Sequence, residues 1–334
     1  MSLESLRNKL LLSLVFGLLV FFGLTVYADF GKIILAIGHF EWKYTPAILG
    51  FTFFNYCLRF VKWDYYLRQV GVRGLSKADS FLAFFSGLSM VVTPGKLGEW
   101  VKCYLVKECT ATPFSRTAPI VIAERVTDGL AMVVLALGGL LLFQTGWQVF
   151  LAMIVASAIA VAVVRYRPFA LRLIALLEKV PLISKKMHQV MQFYESSHTL
   201  FSFKNLAFAV GLGVVSWFGE CLALYFVFLG LGIESSWMLI IQSSFIMASS
   251  TLAGALLLLP GGLGAAEGGI TGLSQLLLGM PKDLAATAAL LIRVATLWFG
   301  VAVGALMLAL AVNRLKTRGA GATVEPTIDP SVYN

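Results

Sequence analysis

Apolar stretches without a charge recur along this chain at the length of a bilayer crossing. The first runs from Leu10 to Ala28, 19 residues, where a ~30 Å hydrocarbon core needs about 20 in a helix. Lipid offers no partner to an open backbone, so a chain with several such runs folds there as helices or as a closed barrel. Runs this long select helices. Only 13% of residues are charged, against about 25% in a soluble domain. The fold class is an all-α integral membrane protein. Arg7 and Lys9 precede the first run, but no small-x-small cleavage site follows it, so it reads as a retained helix rather than a secretory signal. The net charge of +9 fits loops obeying the positive-inside rule and touching anionic lipid. Nucleic acid is not an expected partner.

Six segments are expected to cross fully, at about 10–28, 44–62, 118–143, 148–164, 205–230 and 284–312. Two others, 79–106 and 237–280, are each interrupted by a Pro-Gly pair and read as re-entrant broken hairpins. Ser80 to Thr93 gives ~21 Å of helix at 1.5 Å per residue, short for a crossing. Trp237 to Leu259, by contrast, has the length to span. With the N-terminus inside, the inside loops hold 19 Lys and Arg residues and the outside loops hold three, Lys32, Lys43 and Lys282. That asymmetry predicts an N-in/C-in protein. The expected organisation is one transmembrane domain, 1–315, followed by a disordered tail, 316–334. Residues 168–202 carry Leu171, Ile174 and Leu177 at helical spacing among basic residues, and read as cytoplasmic interfacial helices.

The chain also repeats itself. Pro94-Gly95-Lys96-Leu97-Gly98-Glu99 returns 166 residues later as Pro260-Gly261-Gly262-Leu263-Gly264, with Glu267 close behind. A polar residue inside an apolar helix precedes each motif, Asn55 and Glu220, and an arginine inside a helix follows each, Arg125 and Arg293. Three crossings separate the hairpins, so the second would enter from the opposite side. The prediction is an inverted-topology repeat with halves at about 40–145 and 203–315. Broken helices at matching positions of inverted halves point to a transporter's central site.

Nine ionisable residues inside the membrane segments are singled out: Glu99, Glu124, Asp128, Glu220 and Glu267 against Arg59, Lys96, Arg125 and Arg293. At about 2.5–3.5 kcal/mol apiece on an insertion scale they cannot all face lipid. They must pair or line water. Glu124 and Asp128 share a helix face, and Arg125, three residues before Asp128, is in reach of it. Lys96 and Glu99 flank the start of a half-helix, where free N–H groups favour an anion. These residues read either as structural ion pairs or as a translocation pathway. Cys57, Cys103, Cys109 and Cys221 form no CxxC pair and the three histidines are scattered, so neither a metal nor another cofactor is expected.

Pro94 to Glu99, then Glu124-Arg125-Val126-Thr127-Asp128, then Leu259 to Gly264 with Glu267, together resemble the flippase-like membrane domain of lysylphosphatidylglycerol synthases. The likeness covers about residues 5 to 315. It implies a lipid translocase that moves a polar-headed phospholipid or a polyprenyl-phosphate-linked lipid between leaflets of the inner cell membrane. The two-domain synthases continue into a soluble catalytic domain. None is present in these residues, so aminoacyl transfer is not implied and the chain is expected not to be an enzyme. The pathway residues would be Pro94, Gly95, Lys96, Glu99, Glu124, Arg125, Asp128, Pro260, Gly261, Gly262, Glu267 and Arg293, with Arg59 and Glu220. The phosphate would sit near Lys96, Arg125 and Arg293 at the two half-helix starts. Two other readings stay open: a membrane enzyme modifying lipid head groups, and a subunit or scaffold for a separate lipid-synthesising enzyme. The expected partners are a membrane lipid, further copies of the chain, or that separate enzyme.

Overall fold

The computed structural model describes residues 23, 26–27, 29–93, 99–143, 147–178, 184–257 and 259–321, and among these there is helix and no strand. The elements are α1 (Phe30–His39), α2 (Thr45–Gln69), α3 (Lys77–Leu88), α4 (Val101–Thr110), α5 (Phe114–Phe143), α6 (Trp147–Arg165), α7 (Arg167–Glu178), α8 (Met187–Leu200), α9 (Phe203–Gly230), α10 (Trp237–Leu256), α11 (Ala265–Leu278), α12 (Lys282–Arg293) and α13 (Phe299–Gly321). A π-helical turn, Val294–Trp298, joins the last two.

Local chemistry sets several ends. The Ser76 hydroxyl accepts from the Asp79 N–H at 3.1 Å and starts α3, and Ser236 accepts from the Leu239 N–H at 3.0 Å and starts α10. These are side-chain caps on otherwise unpaired donors. Gly279, at φ 62°, ends α11 in the left-handed conformation that a residue without a Cβ adopts freely.

Among the described residues, four helices are long and apolar enough to cross a membrane: Phe114–Phe143, Phe203–Gly230, Trp237–Leu256 and the continuous run Lys282–Leu315. A fifth crossing arises if α6 and α7, bent by 81° at Tyr166, count as one span. The protein is a multi-pass membrane protein. The crossing expected over 10–28 falls almost wholly outside the described residues. The one expected over 44–62 forms as α2, which has the length of a crossing but carries Arg59, Lys62, Asp64 and Arg68. The break in the first hairpin, at 94–98, also lies outside the described residues, but its flanking helices are short. α3 and α4 have 12 and 10 residues, about 18 and 15 Å at the helical rise. In the second hairpin α10 has 20 residues, enough on its own for a ~30 Å core. At the far end α13 continues to Gly321. The tail expected from 316 therefore begins as helix, and 322–334 lie outside the described residues.

The order of elements recurs. A long helix, a shorter one, a Pro-Gly segment, a short helix and a long helix make up α2 to α5 and again α9 to α13. Packing follows that order crosswise. α2 lies along α9, while α3 packs on α13 and α10 packs on α5, so each half closes the other. At the α2–α9 contact the bonds are reciprocal: Asn55 Nδ2 donates to the Ser216 carbonyl at 3.0 Å, and Ser216 Oγ donates to the Asn55 carbonyl at 3.1 Å. Two apolar clusters hold the ends of this frame. One centres on Trp63, Tyr66, Phe85 and Val106, the other on Leu224, Phe228, Ile246 and Ile292.

Candidate functional site

The frame leaves a cavity of about 80 Å³ between the two halves, and its walls are charged. Arg59 comes from α2, Arg125 from α5, Glu220 from α9 and Arg293 from the end of α12. Glu99 precedes α4, and Gly261 and Gly262 form the turn after α10. Tyr56, Trp217 and Thr296 complete its polar rim. Seven of the residues singled out from the sequence thus meet here. That volume has room for a few water molecules.

The two halves place the same ion pair at this cavity. Glu267 Oε1 accepts from Arg293 Nε at 2.6 Å, and Glu99 pairs with Arg125. In each case 26 residues separate glutamate from arginine. Arg293 also donates through Nη2 to the Gly261 carbonyl at 2.6 Å. Arg125 Nε and Glu99 Oε1 have no hydrogen-bond partner among the described residues. Arg59 lies over the Trp217 ring at 5.5 Å and 3.9 Å from Asp128 Oδ2, beyond hydrogen-bond reach. Guanidinium donors left in this state are suited to an arriving oxyanion, which they can bind bidentately.

The backbone beside the cavity is irregular. Gly261 and Gly262 have φ of 59° and 69°. A Cβ on Gly254 would come within 2.9 Å of the Gly262 Cα, so only glycine lets α10 cross the turn this closely. On the opposite wall the π turn directs the Thr296 carbonyl to the Tyr56 hydroxyl, which donates to it at 2.5 Å. π turns inside helices are rare and concentrate at functional sites.

Some expectations need correction. Arg125 does not pair with Asp128, because the partner of Asp128 is Lys62 on α2, and Lys62 is 1% exposed. Glu124 faces away from the cavity and pairs with Lys102, 3% exposed and 4.6 Å from the Trp63 ring centroid. Both lysines were absent from the sequence reading of intramembrane charges. Their signal was periodicity: Lys62 follows Arg59, and Lys102 follows Glu99, by three residues, one turn along the same face. At the start of α11 one backbone N–H is already taken. Glu267, fully buried, takes the Gly264 N–H at 2.6 Å through Oε2, so the protein supplies its own anion there. Pro260 starts the turn without lining the cavity. Pro94, Gly95 and Lys96 lie outside the described residues.

Comparison with known proteins agrees with the architecture. A UPF0104 membrane protein of Methanothermobacter thermautotrophicus is 24% identical over 324 residues, 90% of this chain and 94% of that one. Another from the same organism is 37% identical over 105 residues, which cover 31% of this chain and only 30% of the relative. A UPF0104 membrane protein of Methanocaldococcus jannaschii is 28% identical over 178 residues, 53% of this chain and 74% of the relative. The family model described as the lysylphosphatidylglycerol synthase TM region matches residues 11–304, and this chain, a multi-pass bundle with paired charges at its centre, belongs to that family.

Proposed function

We propose that this protein moves a phosphate-bearing lipid between membrane leaflets, with the head group passing through the central cavity. One observation carries the reading: Arg59, Arg125 and Arg293, drawn from both halves of the chain, line a single cavity inside the apolar bundle. Charge is costly at that depth and marks a pathway unless it is fully paired. Lys62–Asp128 and Lys102–Glu124 are the structural pairs in this reading, and the three arginines with Glu99 and Glu220 are the pathway. The cavity as described is too small for a phospholipid head, so transport requires it to widen on one side and then on the other. Like halves that pack crosswise suit such rocking. The same reading takes the halves as inverted, both termini as cytoplasmic, the Pro-Gly hairpins as re-entrant, and the location as the inner cell membrane. Residues 168–202 then lie on its cytoplasmic face, and the lipid is the partner.

Translocation makes and breaks no bond, so the protein acts as a transporter and not an enzyme. The test is flipping in proteoliposomes of purified protein. Tagged anionic, zwitterionic and cationic lipids are bleached from outside with dithionite and then recovered to check that their heads are unchanged. Bleaching should exceed the outer-leaflet fraction for anionic lipid, and Arg125→Gln should reduce the excess at least tenfold while the protein still purifies folded. Equal bleaching by the wild type and this variant would remove the arginines from the pathway. A chemically altered head group would replace the transporter with an enzyme.

A further inference from the structure

Two more cavities adjoin the central one, and together they form a series. The second, of about 350 Å³, lies between α5, α6, α9 and α10, and shares Arg125, Trp217, Thr251 and Ala255 with the charged cavity. Its other walls are mostly apolar, among them Ile122, Met132, Met153 and Leu252. Its size is that of a small-molecule pocket. The third, of about 720 Å³, is a more open basin between the start of α5 and α8, with Lys107 and Lys186 on its rim and Phe114 and Phe193 in its walls. The second and third share one residue, Trp100, whose ring stacks on Phe114 with centroids 5.4 Å apart and planes at 27°.

One stripe of α5 runs through the whole series. Phe114 and Ala118 line the basin, Ile122, Gly129 and Met132 line the apolar chamber, and Arg125 lines both that chamber and the charged cavity. Their spacing, four, four, three, four and three, keeps them on one helix face. From Phe114 to Met132 the stripe rises about 27 Å, close to the thickness of a hydrocarbon core. Cations stand at its outer end and at its middle, and the walls between and beyond them are mostly apolar, the carboxylate of Asp128 among them being paired with Lys62. That is the pattern of an anionic head joined to a hydrocarbon chain.

We infer that this stripe is the track for one acyl chain of an anionic phospholipid, and that Trp100 is the gate between basin and track. The inference rests on the translocase reading and deepens it. The phosphate is first met by Lys107 and Lys186. Rotation of the Trp100 ring off Phe114 lets the chain slide along α5 until the head reaches Arg125. Exposed lysines and a stacked aromatic at the mouth suit an amphiphile arriving from the interface, since Trp is at home where one side is wet and the other oily.

The experiment is photolabelling of the full-length protein in phosphatidylcholine vesicles doped with a phosphatidylglycerol whose acyl chain ends in a diazirine. A phosphatidylcholine probe carrying the same chain serves as the comparison. The anionic probe should label peptides at Met132, Met153 and Leu252, of which Met132 and Leu252 are buried. Lys107→Gln with Lys186→Gln should lower that labelling several-fold for the anionic probe only. Trp100→Ala should raise its rate several-fold, and Gly129→Leu, which fills the chamber, should abolish it. Labelling confined to the outward residues Val134, Leu137 and Leu141, all exposed, would overturn the track. Inner labelling at an unchanged rate in Trp100→Ala would overturn the gate. Labelling reports occupancy whether or not lipid crosses, so a protein that labels as expected but fails to flip would refute the translocase and keep the site.

Discussion

A lysine taken out of water beside a carboxylate gains little over an apolar pair of the same volume, yet either partner left alone is costly. Lys62 and Asp128 meet that description, as do Lys102 and Glu124. Lys62→Met should therefore destabilise the protein by about 3–5 kcal/mol, read as thermal unfolding in detergent. The double variant Lys62→Met with Asp128→Leu should recover most of the loss. A double variant as unstable as the sum of its parts would mean that the pair is not the unit. At the cavity, Arg125→Lys should impair transport nearly as much as Arg125→Gln, because an ammonium lacks the planar fork that holds Glu99 and an oxyanion together. The types of the cavity residues were legible in the sequence, since charges in apolar runs declare themselves. Their partners were not. Pairing of Arg125 with Asp128 is what one helix in isolation allows, whereas α2 and the segment before α4 bring Lys62 and Glu99 across from other parts of the chain. The equal spacing of Glu99–Arg125 and Glu267–Arg293 was present in the sequence but masked. The Pro-Gly motifs align at 166 residues and the ion pairs at 168, two residues being added between Pro260 and Glu267.

Helices in this bundle approach through small residues, as expected where lipid gives no hydrophobic drive between them. A Cβ on Gly304 of α13 would stand 2.2 Å from the Ser89 backbone nitrogen at the end of α3, and backbone cannot swing away. Gly304→Leu should lower stability by about 1–3 kcal/mol, the range of overpacking, or block assembly outright. Gly268 of α11, with nothing within 4 Å of its would-be Cβ, supplies the contrast. Gly268→Ala should be neutral or gain up to ~1 kcal/mol from helix propensity. Thermal unfolding of the two variants side by side decides it, and equal losses would show that close approach is not what fixes these glycines. The long apolar helices could be read directly from their runs. The 81° bend between α6 and α7 is foreshadowed by Pro168 in the first turn of the second helix, a position proline accepts. The π turn after Arg293 leaves no comparable mark, because a π turn is defined by its i→i+5 backbone bonds and not by residue type, and its contact with Tyr56 comes from a distant part of the chain.

At the scale of the molecule, each half has an apolar cluster largely its own, and the crosswise packing of α3 on α13 and α10 on α5 ties the two together. The orientation proposed above is open to direct test. Cysteines placed at Lys43 and at Arg172, in a variant whose four native cysteines are replaced, should react with a membrane-impermeant maleimide from opposite sides of sealed inside-out and right-side-out vesicles. Labelling of both from one side would reverse the assignment of 168–202 to the face opposite Lys43. One further consequence follows from the π turn. A chain built from two interchangeable halves can swap the roles of those halves, and the two resulting arrangements would be equal in energy, each open as much of the time as the other. Here α5 runs as unbroken α-helix past Arg125, whereas the helix bearing Arg293 widens directly after it. The extra residue turns everything beyond it by about 100° relative to a regular helix, which adds to the unequal lengths of α3 and α10 in setting the halves apart. In the translocase proposed above, that asymmetry would favour one side at rest, and deleting one residue from Val294–Trp298 should shift the balance between the two sides.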